Sequence, residues 1–592
     1  MKLNRPWWQN ISLTGQTVTE HIVDDPVQLA LQVSRRLPAG SRGALGNTVA
    51  KLAGERFPSV AAIGFEAAGE RANAERSIDS AVADASLADA DFSTKRSANK
   101  LAHLADVALS LGDADRAEAL IESVPAEARR ASWFAVAARI ALYRGDHDGA
   151  VEFASRHPRN AHLAQRMLGE QAVFAGYVPE LPAKVGYSPV KGRVMHVLTN
   201  SLPHTSSGYA QRSHSILKSL VEHGYEVEAV TRPGYPVQVG VAWAAGEDEI
   251  DGIRYVRLLP ARLGQGLRER ADQQAALLAE EVRKFRPAIL HTTTHFTNAL
   301  AVGAVARAFG IPWVYEVRGQ LADTWASTRG LKALESQRYL EFSARELDAA
   351  LAADAVVTLG ENMKRQLVAG GVDEAKISVC PNAVGSPFID EPPTKKDARA
   401  KLGLDDELQL VGTVSSIVDY EGLDLLIRAV ALLAPEYPQL RARIAGDGVA
   451  LPGLKVLAEQ LGIADRCDFP GRVARSEAIF NHAALDVFVV PRKDLTVTRS
   501  VTPMKTVEAS AVGRPVVASR LPALEELVVD GETGALFAAE DEHALAQTLR
   551  GLLDDPERAA EMGENGREWA LSTRTWAANA ATYENVYERL VG

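Results

Sequence analysis

Two kinds of hydrophobic spacing divide the chain. Up to about residue 185, apolar side chains recur at helical intervals among Ala, Arg, Asp and Glu, with few β-branched runs. That pattern predicts an all-helical region over 1–185. From 186 onward, short strand-like runs alternate with amphipathic helices. RVMHVLTN, YEVEAVTR, AILHTTT, IPWVYEVRG, DAVVTLG and ISVCPN form a first set. LQLVGTVSS, RARIAGDG, CDFPG, DVFVVP, PVVAS and GALFAA form a second. Between the first two strands, YAQRSHSILKSLVEHG puts Ile216, Leu217, Leu220 and Val221 on one face and closes on Gly224. Such alternation predicts two α/β domains with doubly wound parallel sheets, 186–388 and 389–573. A last helix, 574–592, follows with no strand behind it. Ligands of such sheets sit at the carboxyl ends of the strands, where loops meet helix amino termini.

The helical region carries a short repeat. LSLGDADRAEALIESVP and LYRGDHDGAVEFASRHP set Gly112 and Gly145 33 residues apart (145 − 112). Each Gly-Asp ends one helix and opens the next. The interval is close to the ~34 residues of tetratricopeptide helix pairs, and a bundle with one duplicated hairpin fits as well. Either arrangement suits docking better than catalysis, with a protein partner or a second copy of the chain as the expected occupant.

Composition narrows the partners. Of 592 residues, 46% are hydrophobic and 24% charged, as in soluble, well-cored proteins. Sixty-five Lys and Arg stand against 76 Asp and Glu, a net charge of −11 without a basic tail. Nucleic acid is therefore not an expected partner. Two cysteines, Cys380 and Cys467, make neither a disulfide framework nor a thiolate metal cluster, which suits a reducing cytosol. No run reaches the ~18 apolar residues of a membrane span, and MKLNRPWWQNISLTG lacks the apolar core of a secretion signal. The expectation is a cytoplasmic chain, at most peripheral at the inner face of the membrane. The segment 262–286 carries Arg262, Arg268, Arg270, Arg283, Lys284 and Arg286, but its acids Glu269, Glu280 and Glu281 favour a solvated helix face over a lipid-facing one.

Several chemistries are missing. There is no Gly-x-x-x-x-Gly-Lys-Ser/Thr phosphate loop, and no G-x-G-x-x-G in the first βα turn. His291 and His295 have the spacing of a helical zinc pair, yet they follow a strand, where residues four apart do not converge on one ion. Asp89-Ala-Asp91 and Asp113-Ala-Asp115 imitate a metal clamp but lie in helical sequence and read as surface carboxylates. No metal and no resident cofactor are expected.

The most informative stretch is SVTPMKTVEASAVGRPVVAS. Pro503 starts a helix, Gly513 ends it, and a strand follows. Glu508 lies one turn inside, placed to accept hydrogen bonds from a ribose diol, and free N–H groups at the helix start suit a diphosphate. The order of a Gly-containing first loop, PNAV, a Gly-Leu-Asp helix, AGDG and E-A-x-A-x-G-R-P-V-V-A-S resembles the GT-B retaining glycosyltransferases of family 4. The resemblance runs from about Arg193 to Gly592. YEVRG, VDYEGLD and VTPxKxxEA resemble a branch of that family associated with exopolysaccharide loci. It implies two Rossmann-like domains facing a cleft, with the final helix crossing back to the first. It also implies a nucleotide-diphosphate sugar donor held by the second domain, a carbohydrate or lipid-linked acceptor held by the first, and metal-independent transfer with retention.

Carried over position by position, the resemblance makes Glu508 the ribose carboxylate and Gly208 the close-approach glycine of the first loop. The family's first Glu falls on Ser500. Its phosphate-clamping Arg and Lys fall on Ser416 and Glu421, so both cations are missing there. The usual His after "G-I-P" is Arg318 here. The resulting set is Arg318, Lys505 and Glu316 for catalysis, with Gly208, Ser415, Ser416, Arg472, Val473, Thr502, Lys505 and Glu508 around the donor. Lys505, one turn before Glu508, either meets the diphosphate or pairs with Glu508. Arg318 either reaches the diphosphate from the opposite domain or pairs with Glu316 or another acid, and Arg499 is a third candidate cation. The lost clamp leaves a second reading, a non-catalytic scaffold of a polysaccharide machine. A nucleotide-sugar epimerase of the same fold is the runner-up enzyme.

Overall fold

The computed structural model describes residues 7–24, 27, 39–54, 57–88 and 95–592; Asp89 and Asp91 lie outside them. Among the described residues no strand precedes Arg193. Helices there include Trp7–Asp24, Lys95–Ser110, Ala114–Glu122, Ala131–Arg144, His147–Ser155 and Ala161–Phe174. The two Gly-Asp pairs work alike. Gly112 and Gly145 take φ of +86° and +84°, which ends a helix at no Cβ cost. Asp113 and Asp146 then cap the next helix, accepting from the N–H of Arg116 at 3.1 Å and of Gly149 at 2.8 Å. Asp115 is exposed and pairs with Arg144, so Asp113-Ala-Asp115 is one cap and one surface carboxylate.

The first sheet contains β1 (Arg193–Leu198), β2 (Glu226–Thr231), β3 (Glu247–Ile250), β4 (Ile253–Arg257), β5 (Ile289–Thr293), β6 (Trp313–Val317), β7 (Ala355–Thr358) and β8 (Ile377–Val379). Their spatial order is β3-β4-β2-β1-β5-β6-β7-β8, parallel except for β3 against β4. The second sheet contains β9 (Gln409–Val414), β10 (Leu440–Ala445), β11 (Cys467–Gly471), β12 (Val487–Val490), β13 (Val516–Ser519) and β14 (Gly534–Phe537). It is ordered β11-β10-β9-β12-β13-β14, with every neighbouring pair parallel. Strands β5, β6, β7, β12 and β13 are buried along their whole length, because helices cover both faces of each sheet. This is the GT-B arrangement, preceded by an all-helical region.

The hairpin β3–β4 is an addition that the hydrophobic pattern alone did not yield. Its sequence EDEIDGIRYVR turns at Asp251 (φ 51°) and Gly252 (φ 76°), and β4 then joins β2 in parallel. The final helix, Trp576–Val591, lies on the first sheet domain. Trp576, Tyr583, Val586 and Tyr587 share a core with Leu217 and Leu220 of the Gly208–Glu222 helix.

The helical region is firmly docked on the first sheet domain. Val173 and Phe174 are buried in that domain's own core, so the Ala161–Phe174 helix belongs to both. His147 Nδ1 meets Glu341 Oε2 at 2.8 Å, Arg338 pairs with Glu170 at 2.6 Å, and Arg270 pairs with Glu20 at 2.6 Å. Arg268 lies over the Tyr177 ring at 4.4 Å. The basic helix Gly266–Phe285 thus turns Arg268 and Arg270 toward the helical region, where the sequence suggested a solvated face.

Candidate active site

A cavity of about 490 Å³ lies between the two sheets at the carboxyl ends of their strands. Thr294, Arg318 and Asn382, which follow β5, β6 and β8, line one side. Ser415 and Ser416 after β9, Arg492 after β12, and the start of the Met504–Ala511 helix line the other. The AGDG glycines shape this second wall by letting backbones touch. A Cβ on Gly446 would come within 1.8 Å of the Ser415 carbonyl, and one on Gly448 within 2.0 Å of the Ile417 carbonyl. Ser415 N–H donates to the Ala445 carbonyl at 2.9 Å and Ile417 N–H to the Asp447 carbonyl at 3.0 Å, fixing the loop.

The Met504–Ala511 helix is anchored by Val507, Ala509 and Ala511 in the core of the second domain. Pro503, its N-cap, offers no side-chain hydrogen bond, so the first-turn N–H groups lack intrahelical partners and open toward the cavity. Lys505 is buried and bonded to Glu421. Arg492 grips the same carboxylate at 3.0 and 3.2 Å and donates to the Val501 carbonyl at 2.7 Å. Burial alone would raise the Glu421 pKa; Arg492 and then Lys505 outweigh it and hold it at about 2. Burial pushes the Lys505 ammonium down to about 8, with Arg492 adding and Glu421 opposing. Burial raises the Glu508 carboxyl, with Arg475 opposing. His482, neutral because burial drives its pKa to about 3, stands 3.6 Å from Glu508.

The first domain repeats this motif of one carboxylate between two cations. Glu316, fully buried, accepts from Arg212 Nε at 3.0 Å and Nη2 at 2.7 Å, from Arg318 Nη2 at 2.7 Å, and from the Tyr583 hydroxyl at 2.9 Å. Burial would raise its pKa, but Arg318, Arg212 and His291 hold it well below the usual carboxylate range. Arg318 also donates to Ser213 Oγ at 2.7 Å and lies over the Tyr209 ring at 5.0 Å. Arg212 reaches the carbonyls of Cys380 (2.6 Å) and Pro381 (2.9 Å) and Asn382 Oδ1 (3.2 Å). Asn382 in turn donates to the Thr502 carbonyl at 2.7 Å, tying the PNAV segment to both domains. Behind Glu316, His291 stacks on His196 at 4.3 Å, and Tyr587 bonds both rings, at 2.7 and 3.2 Å. His295 instead packs against Phe296 and Phe342, so the two histidines do not converge.

Of the residues singled out in the sequence, Gly208, Ser415, Ser416, Arg318, Lys505 and Glu508 line this one cavity. Gly208 faces the second domain, where a Cβ would meet Met504 Sδ at 4.0 Å. Glu316 does not line it; it sits behind the wall and holds Arg212 and Arg318. Lys505 pairs with Glu421, not Glu508, because its side chain turns inward from the helix. Arg472, Val473 and Thr502 are outside the lining, and Arg475, three residues after Arg472, lines it instead. Arg499 is held by Asp494, and Ser500 accepts from Gln366 at 2.9 Å; neither lines the cavity. Arg212 and Arg492 were missed. Arg492 carried a readable signal, since it follows the strand DVFVVP at its carboxyl end.

Two sheets with facing carboxyl edges, a helix start and paired cations thus define an interdomain cleft between two Rossmann-like domains. The chain belongs to the group 1 glycosyl transferases: residues 394–569 match "Glycosyl transferases group 1" and residues 207–383 match "Glycosyl transferase 4-like domain". A D-inositol 3-phosphate glycosyltransferase of Kineococcus radiotolerans is 32% identical over 405 residues, 63% of this chain and 88% of that one. A GDP-mannose-dependent alpha-(1-6)-phosphatidylinositol monomannoside mannosyltransferase of Mycolicibacterium smegmatis is 36% identical over 196 residues, 33% of this chain and 51% of that one. In that match and several others, the chain spans about half the length of the curated relative. Sucrose-phosphate synthase from Thermosynechococcus elongatus superposes with a TM-score of 0.57 at 20% identity, covering 67% of this chain and 99% of that one. Anabaena HepE, solved with UDP, gives 0.52 at 16% identity over 67% and 100%. These likenesses show the fold.

Proposed function

We propose that this chain is a retaining, metal-independent glycosyltransferase. It moves a sugar from a nucleotide-diphosphate sugar to a carbohydrate or lipid-linked carbohydrate acceptor in cell-envelope or exopolysaccharide synthesis. The observation that carries the reading is the convergence of Arg318 from one domain and Arg492, Lys505 and Glu508 from the other on a single cavity. Glu508 accepts from the ribose diol. The Met504–Ala511 helix start, Lys505 and Arg492 face the diphosphate, and Arg318 meets the same group from the acceptor side. The bond from the anomeric carbon to the diphosphate breaks, and a bond to an acceptor oxygen forms on the same face. The acceptor hydroxyl's proton leaves with the diphosphate. Fixed cations facing the developing charge do most of the work, as in other positioning-dominated transfers.

The GDP-mannose-dependent relative supports a nucleotide-sugar donor by name, and the YEVRG, VDYEGLD and VTPxKxxEA motifs support the polysaccharide setting. The helix pairs joined at Gly112 and Gly145 support a tetratricopeptide-like region that takes a protein partner or a second copy. In this reading the reaction takes place on the cytoplasmic side, with at most peripheral contact with the membrane. The test is acceptor-free hydrolysis of UDP-, GDP-, dTDP- and ADP-sugars in EDTA, followed by proton NMR. Release of nucleoside diphosphate, with the free sugar first appearing in the donor's anomeric form, is expected. Absence of release with every donor would favour the scaffold.

A further inference from the structure

A second cavity, about 420 Å³, opens where the helical region meets the first sheet domain, a size in the range of ligand sites (roughly 300–1,000 Å³). Its walls come from both sides of the junction: Glu20 and Glu170 from the helical region, Arg270, Arg338 and His295 from the sheet domain. Thr294 lines the cleft described above, and the next residue, His295, lines this cavity. Both therefore open at the same carboxyl edge of the first sheet.

The charges decide what fits. Three arginines and two glutamates line the cavity. Arg270 is held by Glu20 and Arg338 by Glu170, each at 2.6 Å, so an anion arriving at either of these two would have to compete with a carboxylate already in place. Arg166 stands beside them. What remains are guanidinium N–H donors beside carboxylate acceptors, repeated across the cavity, together with the amides and hydroxyls of neighbouring Gln and Thr side chains. A sugar hydroxyl donates once and accepts twice, and vicinal diols match such donor–acceptor pairs. A hydrocarbon would bury these groups unsatisfied.

We propose that this junction cavity binds sugar residues of an oligosaccharide acceptor, distal to the one that reacts, so that the helical region is one wall of the acceptor site. The proposal rests on the reading of the first domain as the acceptor side. It gives the helical region a substrate-reading role and gives the enzyme a preference for acceptors several sugars long.

The full chain is tested on an array of bacterial-type oligosaccharides of one to six sugars, with inorganic phosphate and pyrophosphate in parallel titrations. Wild-type protein is expected to retain oligosaccharides of three or more sugars. Glu170→Gln removes the charge that pairs with Arg338 and one carboxylate acceptor, and Gln265→Trp fills the cavity without removing an ion pair. Each should weaken glycan binding at least tenfold while nucleoside diphosphate affinity stays within twofold. A silent array, glycan binding that survives Gln265→Trp, or phosphate binding lost in both variants with no glycan bound would each overturn the proposal. Donor hydrolysis by the same preparation separates the two readings. If donors are hydrolysed and the array is silent, the subsite fails and the transferase stands. If glycans bind in the cavity but no donor is hydrolysed, the transferase fails.

Discussion

Lys505→Met tests how the cleft holds a diphosphate without the usual clamp. The second wall carries Arg492 and Lys505 around Glu421, a net charge of +1. Removing Lys505 brings it to zero, at nearly constant side-chain length. One unit charge about 5 Å from a phosphate, at an effective dielectric of about 20, is worth roughly 3 kcal/mol, on the order of 100-fold in Kd. Arg492 still pairs with Glu421 in the variant, so the fold should lose less than the roughly 3–5 kcal/mol of an orphaned buried charge. Glu421→Gln added to Lys505→Met restores the net +1 through the freed Arg492. Calorimetric titration with nucleoside diphosphates should therefore rank wild type and the double variant together, with Lys505→Met about 100-fold weaker. A single variant with wild-type affinity would refute the phosphate contact. A double variant as weak as the single would refute the net-charge argument and leave a specific Lys505 contact in its place.

Arg318→Met should lower kcat more than it weakens donor binding, because charge on the leaving group grows from the bound donor to the transition state; steady-state kinetics beside calorimetry with the intact donor check this. With Lys505 pushed down to about 8, diphosphate affinity should fall as pH rises above about 8, by up to tenfold per unit, and Lys505→Arg should flatten that profile. Its contribution to folding has the opposite sign. The depressed pKa penalises the folded state below about 8, and denaturant titration should show that penalty relieved as pH climbs toward the unfolded value near 10.4. Tyr583→Phe removes one donor from buried Glu316, which should cost about 1–2 kcal/mol of stability by denaturant titration.

Much of the fold was legible because it is written in local pattern. The run VFVV is buried along its length and apolar throughout, and VMHVL is equally buried with His196 as its one polar residue; Gly-Asp pairs mark helix ends by backbone conformation and capping. The β3–β4 hairpin was overlooked, although Asp251-Gly252 between two runs is a type I′ turn signal; EDEI is half exposed at a sheet edge and lacks an apolar alternation. The helix Ala161–Phe174 looked like part of a separate region because its sequence does not say which core Val173 and Phe174 enter. In the site, Glu508 and Gly208 could be placed from motifs. The pairings could not. Arg212 and Glu316 are 104 residues apart, Arg492 and Glu421 are 71 apart, and Lys505 turned from its helical neighbour Glu508 to Glu421. Such partners are chosen by the packing of two domains, on which spacing is silent.

The two walls also explain how a chain with Glu421 in a lysine's place keeps a cationic cleft. A buried carboxylate with one cation would be neutral and would contribute nothing to a diphosphate. With two cations, each carboxylate keeps both side chains extended and fixed, and leaves one positive charge over. Glu316 does this with Arg212 and Arg318, and Glu421 with Arg492 and Lys505. For the proposed nucleotide-diphosphate sugar, with about two negative charges, the two triads would together present +2 from opposite sides on side chains already fixed by their carboxylates. Preorganised charge of this kind avoids the reorganisation that flexible lysines would require as the leaving group forms. The first wall is also braced from the chain's end, since the Tyr583 hydroxyl bonds Glu316 and Asn382 links Arg212 to Thr502. The C-terminal helix thereby helps to position Arg318 from outside the cavity, while Asn382 of the PNAV segment does so from its wall. Domain closure that moved Thr502 would pull directly on the Asn382–Arg212–Glu316 chain that holds Arg318.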